Sequence, residues 1–156
     1  MNVIIRPLQE TDAYTSVKWR NDKEVFKYTG NTYKNTITID SELDWINRVI
    51  KNKNEYRCAI EADGVYVGNI YLTDIDDNSA QYHIFIGEKE FWGKGIAKKA
   101  SVLLLRYAFS DLKLNRVYLD VHYKNMAAIS LYKKLGFVES ERDGDFIRME
   151  NKNNNM

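Results

Sequence analysis

The chain has a single proline, Pro7, and a single cysteine, Cys58. One cysteine cannot close an intramolecular disulfide, so a reducing cytoplasm is the expected setting. Cys58 sits in the strand-like run Tyr56-Arg57-Cys58-Ala59-Ile60, where a free thiol is expected to pack as a small hydrophobe. No apolar run approaches the ~20 residues of a membrane span, and no basic-then-apolar leader opens the chain. No membrane role is therefore expected. Charge of one sign is missing too: 23 basic residues face 22 acidic ones, for a formal net charge of +1. A nucleic-acid binder would carry a basic surplus, so that partner is excluded. Glycine–serine linkers and internal repeats are also lacking. One domain over residues 1–150 is expected, with a polar tail at 151–156.

Turn chemistry and periodicity order what is present. Val3 to Arg6 reads as a strand. Thr11 or Asp12 caps a helix through Val17 and Trp19. A short helical piece is expected from Lys23 to Tyr28, and a loop from Gly30 to Ile39. Asp40 or Ser41 then caps a helix whose Leu43, Ile46, Val49 and Ile50 recur at helical spacing. Asp63-Gly64 is a favoured type I′ turn between strands at Tyr56–Ala62 and Val65–Thr73. Gln81 to Gly87 continues the antiparallel meander. Ile96, Ala100, Leu103, Leu104, Tyr107 and Ala108 form a helix face. A strand at Arg116–His122, a helix at Met126–Leu135 and strands at Phe137–Ser140 and Asp145–Glu150 complete the chain. A strand–helix–strand crossover demands a parallel pair. The fold class is therefore α/β with a mixed sheet and helices on both faces.

The junction Ile86-Gly87-Glu88-Lys89-Glu90-Phe91-Trp92-Gly93-Lys94-Gly95-Ile96-Ala97 runs from a strand through a glycine-rich loop into a helix. The first amides of a helix lack internal partners and carry its positive dipole end. Glycines let a phosphate approach them. Gly93-Lys94 is followed by Gly95, not Ser or Thr, so this is no Walker loop. Lys98 and the antiparallel strands ahead of the loop also exclude a dinucleotide fingerprint. A second segment, Asn125-Met126-Ala127-Ala128-Ile129-Ser130-Leu131-Tyr132-Lys133-Lys134-Leu135-Gly136-Phe137, sets Asn125, Ile129 and Tyr132 on one helix face.

The first segment resembles motif A of the GNAT acetyltransferases, Q/R-x-x-G-x-G/A, with Glu90 departing from the Gln/Arg slot. The second resembles that family's N-x-x-A-x-x-L-Y-x-K-L-G-F segment. The closest likeness is to the branch of ribosomal-protein N-terminal and spermidine acetyltransferases. The resemblance implies a GNAT-like fold: an antiparallel meander, then a parallel pair splayed beside a bulged strand. It implies acetyl-CoA as cosubstrate and direct transfer to a primary amine in a ternary complex. Phe91, Trp92, Gly93, Lys94, Gly95, Ile96 and Ala97 would hold the pyrophosphate. The backbone of Phe85 and Ile86 would bind pantetheine and the oxyanion, with Asn125 contributing.

In the same way Tyr132 would protonate the departing thiolate, since a phenol of pKa ~10 is protonated at pH 7. Asp120 is a base candidate acting through water, if burial raises its pKa. His122, on the same strand face, and His83 are further candidates. Trp19, Asn21, Tyr28 and Trp45 would line the acceptor site with His83, although Trp19 and Trp45 also fit a helix-face core. A protein N-terminus, a polyamine and an amino-sugar nucleotide all remain open as acceptors. So does a non-catalytic acyl-CoA-binding module. No metal is expected, and the terminal edge strands could pair two copies as a homodimer.

Overall fold

A computed structural model describes residues 1–25 and 36–153. The sheet has seven strands: β1 (Val3–Pro7), β2 (Tyr56–Ala62), β3 (Val65–Thr73), β4 (Ser79–Ile86), β5 (Arg116–His122), β6 (Val138–Asp143) and β7 (Phe146–Lys152). Their spatial order is β1-β2-β3-β4-β5-β7-β6. Every neighbouring pair is antiparallel except β4 and β5. The helices are α1 (Ala13–Arg20), α2 (Ile39–Ile50), α3 (Ile96–Arg106) and α4 (Met126–Lys134). The expected mixed sheet is therefore present.

Alternation along β2 divides the core. Cys58 and Ile60 point to one face and pack with Ile96, Ala100 and Leu104 of α3 and Tyr132 of α4. Ala59 points to the other and packs with Leu8, Ala13 and Ile46, below α1 and α2. Helices thus cover both faces. Buried Glu42 of α2 accepts from the Ser16 hydroxyl at 2.6 Å and pairs with Arg20 at 3.3 Å, locking α2 to α1.

Local chemistry sets most boundaries. Asp63 and Gly64 both take positive φ, 50° and 83°, which the type I′ hairpin requires. Thr38 caps α2 by accepting the Ser41 amide at 3.1 Å, so the helix starts ahead of the expected Asp40 or Ser41 cap. Asp12 precedes α1, yet its carboxylate accepts from the Gln9 amide at 2.8 Å and from Arg6 at 2.8 and 2.9 Å. It braces β1 and caps the short 3-10 turn at Glu10–Asp12, leaving α1 without a side-chain cap. Lys23 to Val25 form a turn; the rest of the helical piece expected to reach Tyr28 lies outside the described residues, as do residues 30–35 of the expected loop.

Two expectations need correction. The family bulge expected in the cofactor-binding strand is absent from β4, which pairs with β3 from Gly68↔Ile86 to Thr73↔Gln81 without a shift. The bulge lies in β3: Ile60 faces Gly68 and Glu61 faces Tyr66, leaving Val67 as the extra residue. Nor does the tail begin at residue 151. Asn151 and Lys152 pair with Val117 and Arg116 in β7. The Asn151 side chain donates to the Leu135 carbonyl at 3.0 Å, and that of Asn153 to the Leu114 carbonyl at 3.1 Å. Amide side chains here satisfy helix-end and loop carbonyls that would otherwise lack partners.

Candidate active site

β4 and β5 pair only from Ser79↔Arg116 to Gln81↔Tyr118. Beyond that point β4 continues beside β3 and β5 beside β7, so the sheet parts. The splay expected of the parallel pair is therefore present. The Gly87 amide donates to the Val67 carbonyl at 2.7 Å. Counting back along the unshifted ladder, the backbone groups of Phe85 and His83 face β3, and those of Ile86 and Ile84 face the gap. Phe85, expected to offer its amide to a cofactor, offers it to β3 instead. The Ile84 amide faces the gap beside that of Ile86. Simple alternation from Ile86 was the available signal. The Ile86 carbonyl is already bound by the Trp92 indole N–H at 2.8 Å, which leaves its amide for a ligand.

The glycine loop closes one end of the gap. Gly93 and Gly95 take φ of 74° and 78°, and a Cβ at either would meet only open space. Gly95 precedes α3 without a side-chain cap, and the first helical bond runs from the Lys99 amide to the Gly95 carbonyl at 3.2 Å. The amides of Ile96, Ala97 and Lys98 are therefore left to an outside acceptor. Lys94 is exposed, with its ammonium 5.7 Å above the Phe91 ring. Glu90 is exposed as well. This cradle fits a pyrophosphate: strained glycine conformations, unpaired amides, and room for phosphate oxygens.

On the α3–α4 face, Tyr132 is buried, with its ring edge-to-face with Tyr82 and Phe137, both at 5.8 Å. Tyr82 lies one residue past the last β4–β5 pair, so the Tyr132 ring packs beside the point where the sheet parts. Among the described residues no group hydrogen-bonds its hydroxyl. Burial pushes the Tyr132 phenol up to about 12, which keeps it protonated. Asn125 caps α4, its side-chain oxygen accepting the Ala128 amide at 3.3 Å. That structural duty stands beside the cofactor contact expected of it.

On the α1–α2 face a cavity of about 610 Å³ spans the gap, lined by Gln81, His83, Asp120, Glu141, Asp143, Phe146 and Arg148. His83 stacks on Tyr71 at 4.8 Å, and its Nε2 lies 2.9 Å from the Thr73 hydroxyl. Burial first, then the Arg57 charge, lowers the His83 imidazole to about 4. Asp120 is exposed, and both its oxygens accept from Arg148, at 2.9 and 3.1 Å. The burial its role as a base requires is missing. His122 accepts the Lys124 amide on Nδ1 at 3.1 Å and packs between Tyr123 and Phe146. Neither residue is disposed as a free base.

The other expected acceptor residues lie away from this cavity. Trp19 is 3% exposed. Its ring packs on Tyr66 and Phe85, and a Cβ on Gly87 would fall 2.0 Å from it. Its indole N–H donates to Glu88 at 3.1 Å. Trp19 is a core residue that seats the start of the glycine loop. Trp45 lies between the Arg20 and Arg57 guanidiniums, at 3.8 and 5.0 Å. Asn21 binds the Ile37 backbone through both ends of its amide, at 2.7 and 3.0 Å. Tyr28 lies outside the described residues. Among the described residues no cluster of three His, Cys, Asp or Glu could hold a metal.

An opened parallel pair with free amides, a phosphate cradle at one end and a protonated phenol packed beside the parting strands define a coenzyme-A-type acyltransferase. Residues 2–138 match the acetyltransferase (GNAT) domain model, and the chain belongs to that family. It is 32% identical over 150 residues to the spermidine N(1)-acetyltransferase of Escherichia coli K12, covering 94% of this chain and 78% of that one. Its fold superposes on spermidine N-acetyltransferase from Vibrio cholerae in complex with CoA and spermine. The TM-score is 0.87 at 27% identity, over 97% and 95% of the two chains. A dodecameric structure of the Vibrio enzyme matches with a TM-score of 0.81 at 26% identity, over 97% and 94%. The protein is an acetyl-CoA-dependent N-acetyltransferase acting on an amine. No helix among the described residues is long and apolar enough to cross a membrane.

Proposed function

We propose that this single acetyltransferase domain acetylates a polyamine. The observation that carries the reading is the charge of the cavity over the parted strands: Asp120, Glu141 and Asp143 against Arg148 alone. A flexible polycation gains from three carboxylates, while the diphosphate of an amino-sugar nucleotide would be repelled. The likeness to spermidine acetyltransferases supports the same acceptor.

In this reading acetyl-CoA binds along the gap, with its pyrophosphate on the amides of Ile96 and Ala97 beside Gly93 and Gly95. The amides of Ile84 and Ile86 hold the pantetheine arm and polarise the thioester carbonyl. The polyamine enters from the opposite face through the acidic cavity. Its ammonium proton leaves through cavity water, and the freed amine attacks the carbonyl carbon. Tyr132 gives its proton to the thiolate as the C–S bond breaks, and the proton that the attacking nitrogen then sheds restores the phenol through water, leaving the amide and free CoA thiol. Asp120, held by Arg148, acts as a fixed negative wall. Exposed β6 at the sheet edge offers a surface for self-association, and the Vibrio relative has a dodecameric structure. The buried thiol of Cys58, pushed up to about 11 chiefly by burial, is suited to a reducing cytoplasm.

Turnover of acetyl-CoA is measured by product mass against polyamines, ribosomal-protein N-terminal peptides and nucleotide-linked amino sugars. Preference for spermidine or spermine is expected. Preference for either other class defeats the polyamine reading.

A further inference from the structure

We propose that Thr73 is a positioning residue: it accepts the Nε2 proton of His83 and so leaves the Nδ1 lone pair of that imidazole to receive an N–H of the acceptor amine above the parted strands. The inference rests on the amine-acceptor reading of the cavity and names how the reacting nitrogen is held there.

The argument begins with the two ring nitrogens. Nε2 lies 2.9 Å from the Thr73 hydroxyl. Nδ1 has no partner among the described residues, yet it is not among the sealed, unpaired buried atoms, which are Arg57 Nη1 and Asn153 Oδ1. A neutral imidazole carries one proton. With that proton on Nε2 the Thr73 hydroxyl accepts it and the Nδ1 lone pair is turned to the cavity. Thr73 sits two residues beyond Tyr71 on β3, on the same face, and Tyr71 stacks on His83 at an interplanar angle of 16°. The Arg57 guanidinium lies 4.1 Å from the Tyr71 ring centroid. Stacking therefore fixes the imidazole plane, and the proposed arrangement has the Thr73 hydroxyl hold the tautomer by accepting from Nε2.

The position of His83 gives that lone pair its use. His83 precedes Ile84 on β4. The Ile84 amide points in the sheet plane into the gap, and the His83 side chain stands on the cavity face. A carbonyl polarised by Ile84 and an amine held by His83 would meet at the parted edge. The surrounding groups keep the ring neutral. Burial and Arg57 of β2 lower its affinity for protons, against Asp74 beyond β3 and Asp120 of β5. Gln81 on β4, Arg148 on β7, and Glu141 and Asp143 on β6 complete the wall. With the imidazole lowered to about 4, Nδ1 stays an acceptor throughout the neutral range.

The test uses the full chain, labelled with ¹⁵N at its two histidines, and the variants Thr73→Val and Thr73→Ser. The wild-type spectrum should show a protonated Nε2 and a bare Nδ1 on His83, whose Nδ1 shift moves when spermidine and CoA are added. Thr73→Val should raise the acceptor KM about five- to tenfold, in line with one lost hydrogen bond, with kcat and the acetyl-CoA KM unchanged. Thr73→Ser should stay near the wild type. A proton on Nδ1 in the wild type, or an acceptor KM unmoved by valine, overturns the inference. If the valine variant does not fold, the wild-type spectrum and its response to acceptor decide alone. Wild-type turnover separates the two readings. If a different primary amine is acetylated and polyamines are not, the polyamine reading fails. The KM comparison is then made with that amine.

Discussion

The two faces of the parted sheet are built differently. On the α3–α4 face the proposed donor site consists of backbone amides and one buried phenol, supplied by a strand, a loop and two helices. On the α1–α2 face the proposed acceptor site is a cavity of side chains from β4, β5, β6 and β7, most of them charged and several exposed. Backbone amides serve any acyl-CoA and depend little on side-chain identity. A side-chain wall adapts to one acceptor and is altered by single substitutions. The donor face is therefore generic and the acceptor face particular.

The largest expected effect tests the donor face at its proposed acid. Tyr132→Phe should lower kcat by about 10²–10⁴ with acetyl-CoA binding intact by calorimetry; unchanged turnover would remove the proposed acid. The next is a stability effect on the acceptor face. His83 is lowered in the folded protein to about 4 from an ordinary 6.5, so the unfolded chain takes up the proton first. Its contribution, roughly 3 kcal/mol by linkage, should be complete above pH 6.5 and lost as pH falls toward 4. Thermal unfolding across that range should show the fall, and His83→Gln should flatten it. Identical pH profiles would contradict the burial of this ring.

Two smaller effects sharpen the contrast. Gly95→Val places a branched side chain at φ 78°. A loss of about 1–2 kcal/mol in stability is expected, and the new side chain should weaken acetyl-CoA while leaving the acceptor KM alone. The reverse pattern should follow Glu141→Gln with Asp143→Asn. These exposed carboxylates are expected to contribute about 0.2–1 kcal/mol each at most. The spermidine KM should rise a few-fold, more at low salt, with acetyl-CoA unaffected. If both variants shifted both substrates alike, the division into two faces would be wrong.

The donor side was legible because its parts are contiguous. Phe91 to Ala97 announces a loop before a helix, and Asn125 to Phe137 a capped helix stopped by glycine. The acceptor side was not. Arg148 meets Asp120 only because β7 lies beside β5, and Glu141 and Asp143 reach the same cavity only because β6 lies beyond β7. No local pattern brings these four together. Trp19 and Asn21 have the aromatic and amide chemistry of an acceptor site, while Trp19 equally fits a helix-face core. The fold uses them to seat Gly87 and to fasten Ile37. The polar run at Asn151–Asn153 looked like a tail, but its amides answer carbonyls at Leu135 and Leu114, contacts that span many residues.

The amino-acid sequence by itself determined the strands, the type I′ hairpin, the glycine loop and the mixed sheet, since each follows from backbone preference and periodicity within a few residues. Only the tertiary structure decided which amides face the gap, that burial keeps the His83 imidazole neutral and what lines the proposed acceptor cavity. Those depend on strand order, register and burial, which join residues far apart in the chain.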